Sequence, residues 1–156
     1  MGRTLFVGQQ PSSYEAEKSG EVLTPGGALD NLIKMMGIPS LNFFEKFDYI
    51  NVSPHFEPDG LSPEYHRPDM RNLRPLLSGR RIICFGPPVA SAFEIDRDKY
   101  EWCQFFDHPK WDDFHGLFCV IPYPDTRNRL YHNPEFRGMV CRTLDMLLTF
   151  SHEENA

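Results

Sequence analysis

Residues 4–11 read TLFVGQQP. Four strand formers stop at Gly8, and two amides, Gln9 and Gln10, precede the rigid Pro11. A β-strand that ends in this way reads as the first strand of an α/β sheet opening into a binding site. Three later runs repeat the pattern: residues 47–54 (FDYINVSP), 81–88 (RIICFGPP) and 117–124 (LFCVIPYP). Each is apolar and each closes on a proline. Four such strand ends brought to one edge would line one pocket, which is where open α/β sheets hold their ligands.

The segments between these runs carry helix signals. Residues 28–36 place Leu29, Leu32, Ile33 and Met36 at helical spacing and stop at Gly37, a C-cap residue. Residues 12–20 are polar and read as a loop or short helix, and residues 42–46 as a helical turn. Residues 63–77 read as a helix with Pro63 in its first turn after a Ser62 cap, broken or kinked at Pro68 and ended by Gly79. A helix starts directly after Gly86. Asn133 caps a final helix that opens with Pro134 and carries Phe136, Val140, Leu144, Leu147 and Leu148 along one stripe. Residues 96–116 are aromatic and charged with no clear period. The order β, α, β, α, β, α, β, α predicts an α/β fold, a three-layer αβα sandwich around a four-stranded, mainly parallel sheet. It fills residues 1–150 as a single domain, and residues 151–156 are read as a tail.

The chain has 156 residues, enough for one full core, and its 14 prolines predict numerous stiff loops. A net charge of −6 argues against a general nucleic-acid coat protein but leaves room for a local basic patch. Arg67, Arg71, Arg74, Arg80 and Arg81 are close in sequence, as are Arg127 and Arg129. The four cysteines form no CxxC pair, and Cys84 and Cys119 sit inside apolar runs as buried thiols. No signal-peptide pattern and no bilayer-length apolar run is present, so a cytoplasmic protein without membrane partners is expected.

Many familiar chemistries are missing: there is no GxSxG elbow, P-loop, HExxH or GxGxxG, and the six histidines show no metal-ligand spacing. Polar residues at strand ends remain. Gln9 and Gln10 follow the first strand, and Asn51 interrupts the apolar second. An amide offers a donor beside an acceptor, the complement of a nucleobase edge, although a structural amide tying two loops is the plain alternative. Residues 123–128 (YPDTRN), followed by Arg129, bring an aromatic ring, an acid and two arginines to the end of the last strand. They read either as a turn with solvated arginines or as a loop that meets phosphates and holds an extruded base.

These segments, in this order from about residue 4 to residue 150, resemble the uracil-DNA glycosylase superfamily. Gly8-Gln9-Gln10-Pro11 is similar to that family's first motif, a strand followed by G-x-x-P. Residues 19–32 resemble the branch with an S-G-R-P-F segment before a glycine-bearing loop and helix. Asn51 falls where the family carries an Asn in an apolar strand. Residues 76–93 resemble its third strand and the helix after it, and residues 123–128 its second motif, H-P-S-x-x-[SN].

The resemblance implies base excision, as in DNA repair: a nucleotide is flipped from DNA, its base is bound, and the N-glycosidic bond is hydrolysed. It implies that Asn51 reads the base, that Gln9 and Gln10 meet its carbonyl side, that Gln10 places water, and that Tyr123 stabilises the leaving base. The family's stacking Phe corresponds to Leu23 or is displaced by the loop. Arg127, with Asn128, Arg129, Pro87 and Pro88, would meet DNA. Gln10 replaces the acid of the best-known branch, Tyr123 its His and Asp125 its Ser. Gln10 can orient water but cannot take its proton, and losing a general base costs about 10²–10⁴-fold. The cysteine spacing does not fit the iron–sulfur cluster of some branches, so no cluster and no other cofactor is expected. The altered residues remain polar, and Asp125 could accept from an amino group. The function expected is therefore a glycosylase for a modified or damaged base, a pyrimidine in the first instance. The alternatives are an inactive module binding a base, nucleotide or DNA, and transfer chemistry on a modified base.

Overall fold

The computed structural model describes the backbone of residues 2–155 and the side chains as far as residue 151. Five strands form one sheet: β1 (Leu5–Gly8), β2 (Asp48–Asn51), β3 (Arg81–Phe85), β4 (Phe105–Phe106) and β5 (Leu117–Ile121). Their order is β2-β1-β3-β5-β4, parallel throughout except where β4 pairs antiparallel with β5. The fold is thus α/β with a mostly parallel sheet, but it has five strands rather than the four expected. The added strand is two residues long and lies in the aperiodic stretch 96–116. Its pairing with β5, Phe105 with Cys119 and Phe106 with Phe118, creates it, not a pattern of its own.

Among the described residues seven α-helices accompany the sheet. They are α1 (Tyr14–Ser19), α2 (Ala28–Met36), α3 (Ser40–Lys46), α4 (Pro63–Asn72), α5 (Arg74–Leu77), α6 (Pro87–Ala92) and α7 (Pro134–Asn155). Capping follows the sequence at both ends of several of them. Ser13 Oγ accepts from the Ala16 amide to start α1, and Asn133 Oδ1 accepts from Glu135 and Phe136 to start α7. Gly37 closes α2 in a left-handed conformation. Several boundaries shift by one or two residues, and two helices differ more from expectation. The helix from Pro63 runs through Pro68 and breaks at Leu73, because Pro75 takes a first-turn place in a new helix; Ser62 makes no side-chain capping bond. At the other end, α7 continues to Asn155 past the expected tail start, and Ser151 is buried; Ala156 lies outside the described residues.

Strand alternation sends neighbouring residues to opposite faces, and both faces are apolar. Phe6 is fully buried on one, with the rings of Phe43 and Phe47 each 5.3 Å away. Phe118 is fully buried on the other, among Phe93, His108, Trp111 and Phe114. This double packing explains why the strands read as continuous apolar runs. It leaves the strand ends as the place where polar side chains can gather.

No helix of the described residues is long and apolar enough to cross a membrane. All four cysteines are free thiols.

Candidate functional site

The carboxyl ends of β1, β2 and β5 open on one cavity of about 210 Å³. It sits near the switch point of the sheet, where β1 and β3 are neighbours but their following strands lie on opposite sides. Gln9, Gln10, Asn51, Tyr123, Asp125 and Arg127 all line it, so six residues singled out from distant segments converge there. Two close approaches shape its floor. A Cβ on Gly8 would lie 1.9 Å from the Tyr49 hydroxyl and 2.7 Å from Asn51 Oδ1, so only glycine lets those side chains cross the strand end. Gly86 turns the chain after β3 at φ 87°, with Gln9 and Tyr123 packed close beside it.

Asn51 has a fixed polarity. The Tyr49 hydroxyl donates to its Oδ1 at 2.7 Å, which orients the amide and leaves both Nδ2 N–H groups and one Oδ1 lone pair unengaged on a residue that lines the cavity. Burial pushes the Tyr49 hydroxyl well above its ordinary pKa, with Tyr123 adding to the shift, and so keeps Tyr49 a donor. Period-two spacing puts residues 49 and 51 on one face of the strand; this was the available signal for Tyr49, which sequence reasoning treated only as an apolar neighbour.

Gln10 is partly committed. Its Nε2 donates to the Glu57 carbonyl at 2.9 Å and its Oε1 accepts from the Glu57 amide at 2.7 Å, a bridge of the kind two strands make. One N–H and one lone pair remain for a ligand or water. The bridge pins the loop after β2. Glu57 in turn accepts from the Ser62 amide and pairs with the buried His66 at 2.8 Å. Burial works to raise the Glu57 pKa, but the bonds from His66, Ser53 and Ser62 outweigh it and hold the carboxyl below its usual value. Glu17 takes the Phe56 amide at 2.6 Å, and Tyr14 packs edge-on to its ring. Phe56 thereby becomes a fixed wall of the cavity. Leu23 does not supply the apolar wall: it packs against the core and does not line the cavity, and Val22 and Phe56 do. Only an aromatic residue amid the polar loop SPHFEP marked Phe56 in the sequence.

The loop after β5 supplies the opposite wall. Asp125 accepts from the Arg127 amide and, through both oxygens, from its guanidinium at 2.8 and 3.1 Å. These bonds hold the Asp125 carboxyl below its usual range. The Tyr123 hydroxyl makes no hydrogen bond among the described residues. Burial and then the charge of Asp125 raise its pKa, partly offset by Arg127, so it stands as a phenol donor. The first turn of α2 also reaches the cavity, capped by Gly27 with no side-chain bond, and its N–H groups add a positive end.

Four residues expected to meet DNA do not line the cavity. Asn128 donates to the Tyr123 carbonyl and caps Leu130, which ties up the loop. Arg129 is exposed in the short turn Arg129–His132, and Pro87 and Pro88 begin α6; none lines the cavity. Arg67, Arg71, Arg74 and Arg80 go to separate partners. Arg67 binds Ser91, Arg71 pairs with Glu94, Arg74 stands over Trp111 and Arg80 pairs with Asp48. Among the described residues no cluster of His, Cys, Asp and Glu is arranged to hold a metal ion.

Neither family models nor curated proteins match the chain. The cavity's own geometry therefore carries the functional reading. It offers a flat aromatic wall, an amide donor at its base, a phenol and a helix N-terminus opposite, and one carboxylate, Glu21, without a side-chain partner among the described residues.

Proposed function

We propose that this chain is a divergent member of the uracil-DNA glycosylase superfamily, a three-layer αβα sandwich whose cavity receives a single base extruded from DNA. The observation that carries this is the convergence of Asn51, Gln10 and Tyr123 on one small cavity at the sheet's switch point. Phe56 provides a face for a base to stack on. Both Asn51 N–H groups are unengaged, so the residue can receive a base that turns a carbonyl toward it, as oxidised or modified pyrimidines do.

The reaction is hydrolysis of the N-glycosidic bond. The bond to C1′ breaks with its electron pair on the base, and the developing charge meets the Tyr123 hydroxyl and the start of α2. Water held by the spare valences of Gln10 adds to C1′. Its proton passes to the departing base or to solvent, because an amide cannot take it. A slow enzyme follows from that chemistry.

A second reading is favoured by one observation: the Gln10 amide and the Asp125 carboxylate are both engaged within the protein. On that basis the cavity binds a base or nucleotide without cutting it. One experiment separates the two. Oligonucleotides carrying uracil, hydroxymethyluracil and other modified pyrimidines are incubated with the protein, and abasic sites are scored by alkaline cleavage. Release that falls about 10²–10³-fold in Tyr123→Phe supports hydrolysis. Saturable binding without release supports the binding module, and neither release nor binding with any base overturns both.

A further inference from the structure

A second cavity of about 380 Å³ adjoins the first and shares Asp125 with it. Its walls come from α2 (Lys34, Met35), the loop after β5 (Pro124), the turn before α7 (Tyr131, His132) and the start of α7 itself (Arg137). The charge here runs against that of the whole molecule. The protein carries −6, yet the lining of this groove brings Lys34 and Arg137 together with one acid, Asp125, whose oxygens are already bonded to Arg127. Arg137 is exposed, and its guanidinium has no partner among the described residues. Lys34 reaches Asp30 at 2.9 Å but keeps two further N–H groups free, with its side chain 71% exposed. The same lining includes an apolar strip of Met35, Pro124 and Tyr131. The Tyr131 hydroxyl is tied to the Pro122 carbonyl, and Asn31 holds the Pro124 carbonyl at 3.0 Å. His132 donates through Nε2 to the Thr126 carbonyl at 3.1 Å, which fixes its ring on the same rim.

We propose that this groove binds the sugar–phosphate backbone of a single DNA strand beside the nucleotide whose base enters the first cavity. The proposal rests on the base-pocket reading and extends it. Lys34 and Arg137 meet phosphate oxygens, the strip of Met35, Pro124 and Tyr131 underlies a sugar, and the Asp125–Arg127 pair forms the ridge between base and backbone. Phosphate contacts of this kind position a strand without reading its sequence. They also replace condensed counterions, so binding must weaken as salt rises. The groove explains how an acidic protein could hold DNA: the cations are concentrated where the strand passes.

The test uses a fluorescein-labelled oligothymidylate, the free nucleosides hydroxymethyldeoxyuridine and deoxyuridine, and inorganic phosphate. In the double variant Lys34→Ala/Arg137→Ala the oligonucleotide should bind about tenfold more weakly at low salt. Its plot of log affinity against log salt should flatten by about 0.7 for each phosphate that the variant no longer neutralises. Nucleoside affinity should not change. Arg137→Lys, which keeps the charge, should retain the slope. Asn51→Ala should do the reverse, weakening nucleoside binding and leaving the slope alone. An unchanged slope in the double variant overturns the groove and leaves the base pocket standing. Unchanged nucleoside binding in Asn51→Ala overturns the base pocket instead. Inorganic phosphate binding as tightly as the oligonucleotide overturns the strand assignment, and a wild-type protein that binds neither probe overturns both.

Discussion

Replacing Gly8 with alanine tests how the strand end was built. The backbone there is not left-handed, so alanine carries no conformational penalty and the whole cost is steric. The new methyl would stand 1.9 Å from the Tyr49 hydroxyl, 2.7 Å from Asn51 Oδ1 and 2.8 Å from Tyr49 Cζ. Neither side chain can yield freely. The Tyr49 ring packs against Phe85 at 5.9 Å, and its hydroxyl is bonded to Asn51. Overpacking costs about 1–3 kcal/mol, and breaking the Tyr49–Asn51 bond adds about 1 kcal/mol. A total of about 2–4 kcal/mol corresponds to a fall of about 5–15 °C in Tm for a domain of this size. Urea and thermal unfolding followed by circular dichroism would measure it. The same substitution in a Tyr49→Phe background should cost less, because the nearest atom is gone, although Cζ still crowds the methyl. Gly8→Ala within about 0.5 kcal/mol of wild type, or an equal cost in both backgrounds, would refute the explanation.

Three further outcomes follow from the same structure. Gln10→Leu removes both bonds to the Glu57 backbone and should cost about 1–3 kcal/mol; amide exchange should quicken at Glu57 and Phe56 while β1 stays protected, and a Glu57 amide as slow as in wild type would contradict the bridge. Because Arg127 depresses the Asp125 pKa, the loop gains order above the unfolded carboxyl value of about 3.9 and loses it as pH falls through the lower folded value. Carboxyl-carbon NMR should show that midpoint rising in Arg127→Ala, and no movement would count against the pair. Burial raises the Cys84 and Cys119 thiols, so disulfide reagents at about pH 8, near the ordinary thiol pKa, should leave both unlabelled until the protein unfolds; rapid labelling of either in the folded protein would contradict their burial.

What the sequence disclosed and what it hid divide along physical lines. Strands β3 and β5 and helix α2 have the bounds that their apolar runs and closing residues indicate, because local pattern and tertiary burial agree there. The convergence of strand ends follows from parallel topology alone, so Gln10, Asn51 and Tyr123 could be assigned to one edge in advance. Long-range partners could not. Glu57 stands 47 residues from Gln10, and nothing local tells that a glutamine amide will bridge its backbone. Strand β4 exists only because β5 offers an edge. The arginines of residues 67–81 resemble a patch in one dimension and are dispersed to separate partners in three. Leu23 and Phe56 were exchanged as the apolar wall because loop closure, not periodicity, decides which of them faces the cavity.

The central claim concerns the Asn51 amide, and its side-chain N–H signals report on it directly. In a ¹⁵N NMR titration with the nucleosides of modified pyrimidines, those two protons should shift saturably, in step with the Gln10 amide, for at least one base bearing a carbonyl. They should fail to shift with an analogue whose carbonyl is removed. Asn51 resonances that stay fixed with every base, while the protein remains folded, would contradict a base pocket at this sheet edge.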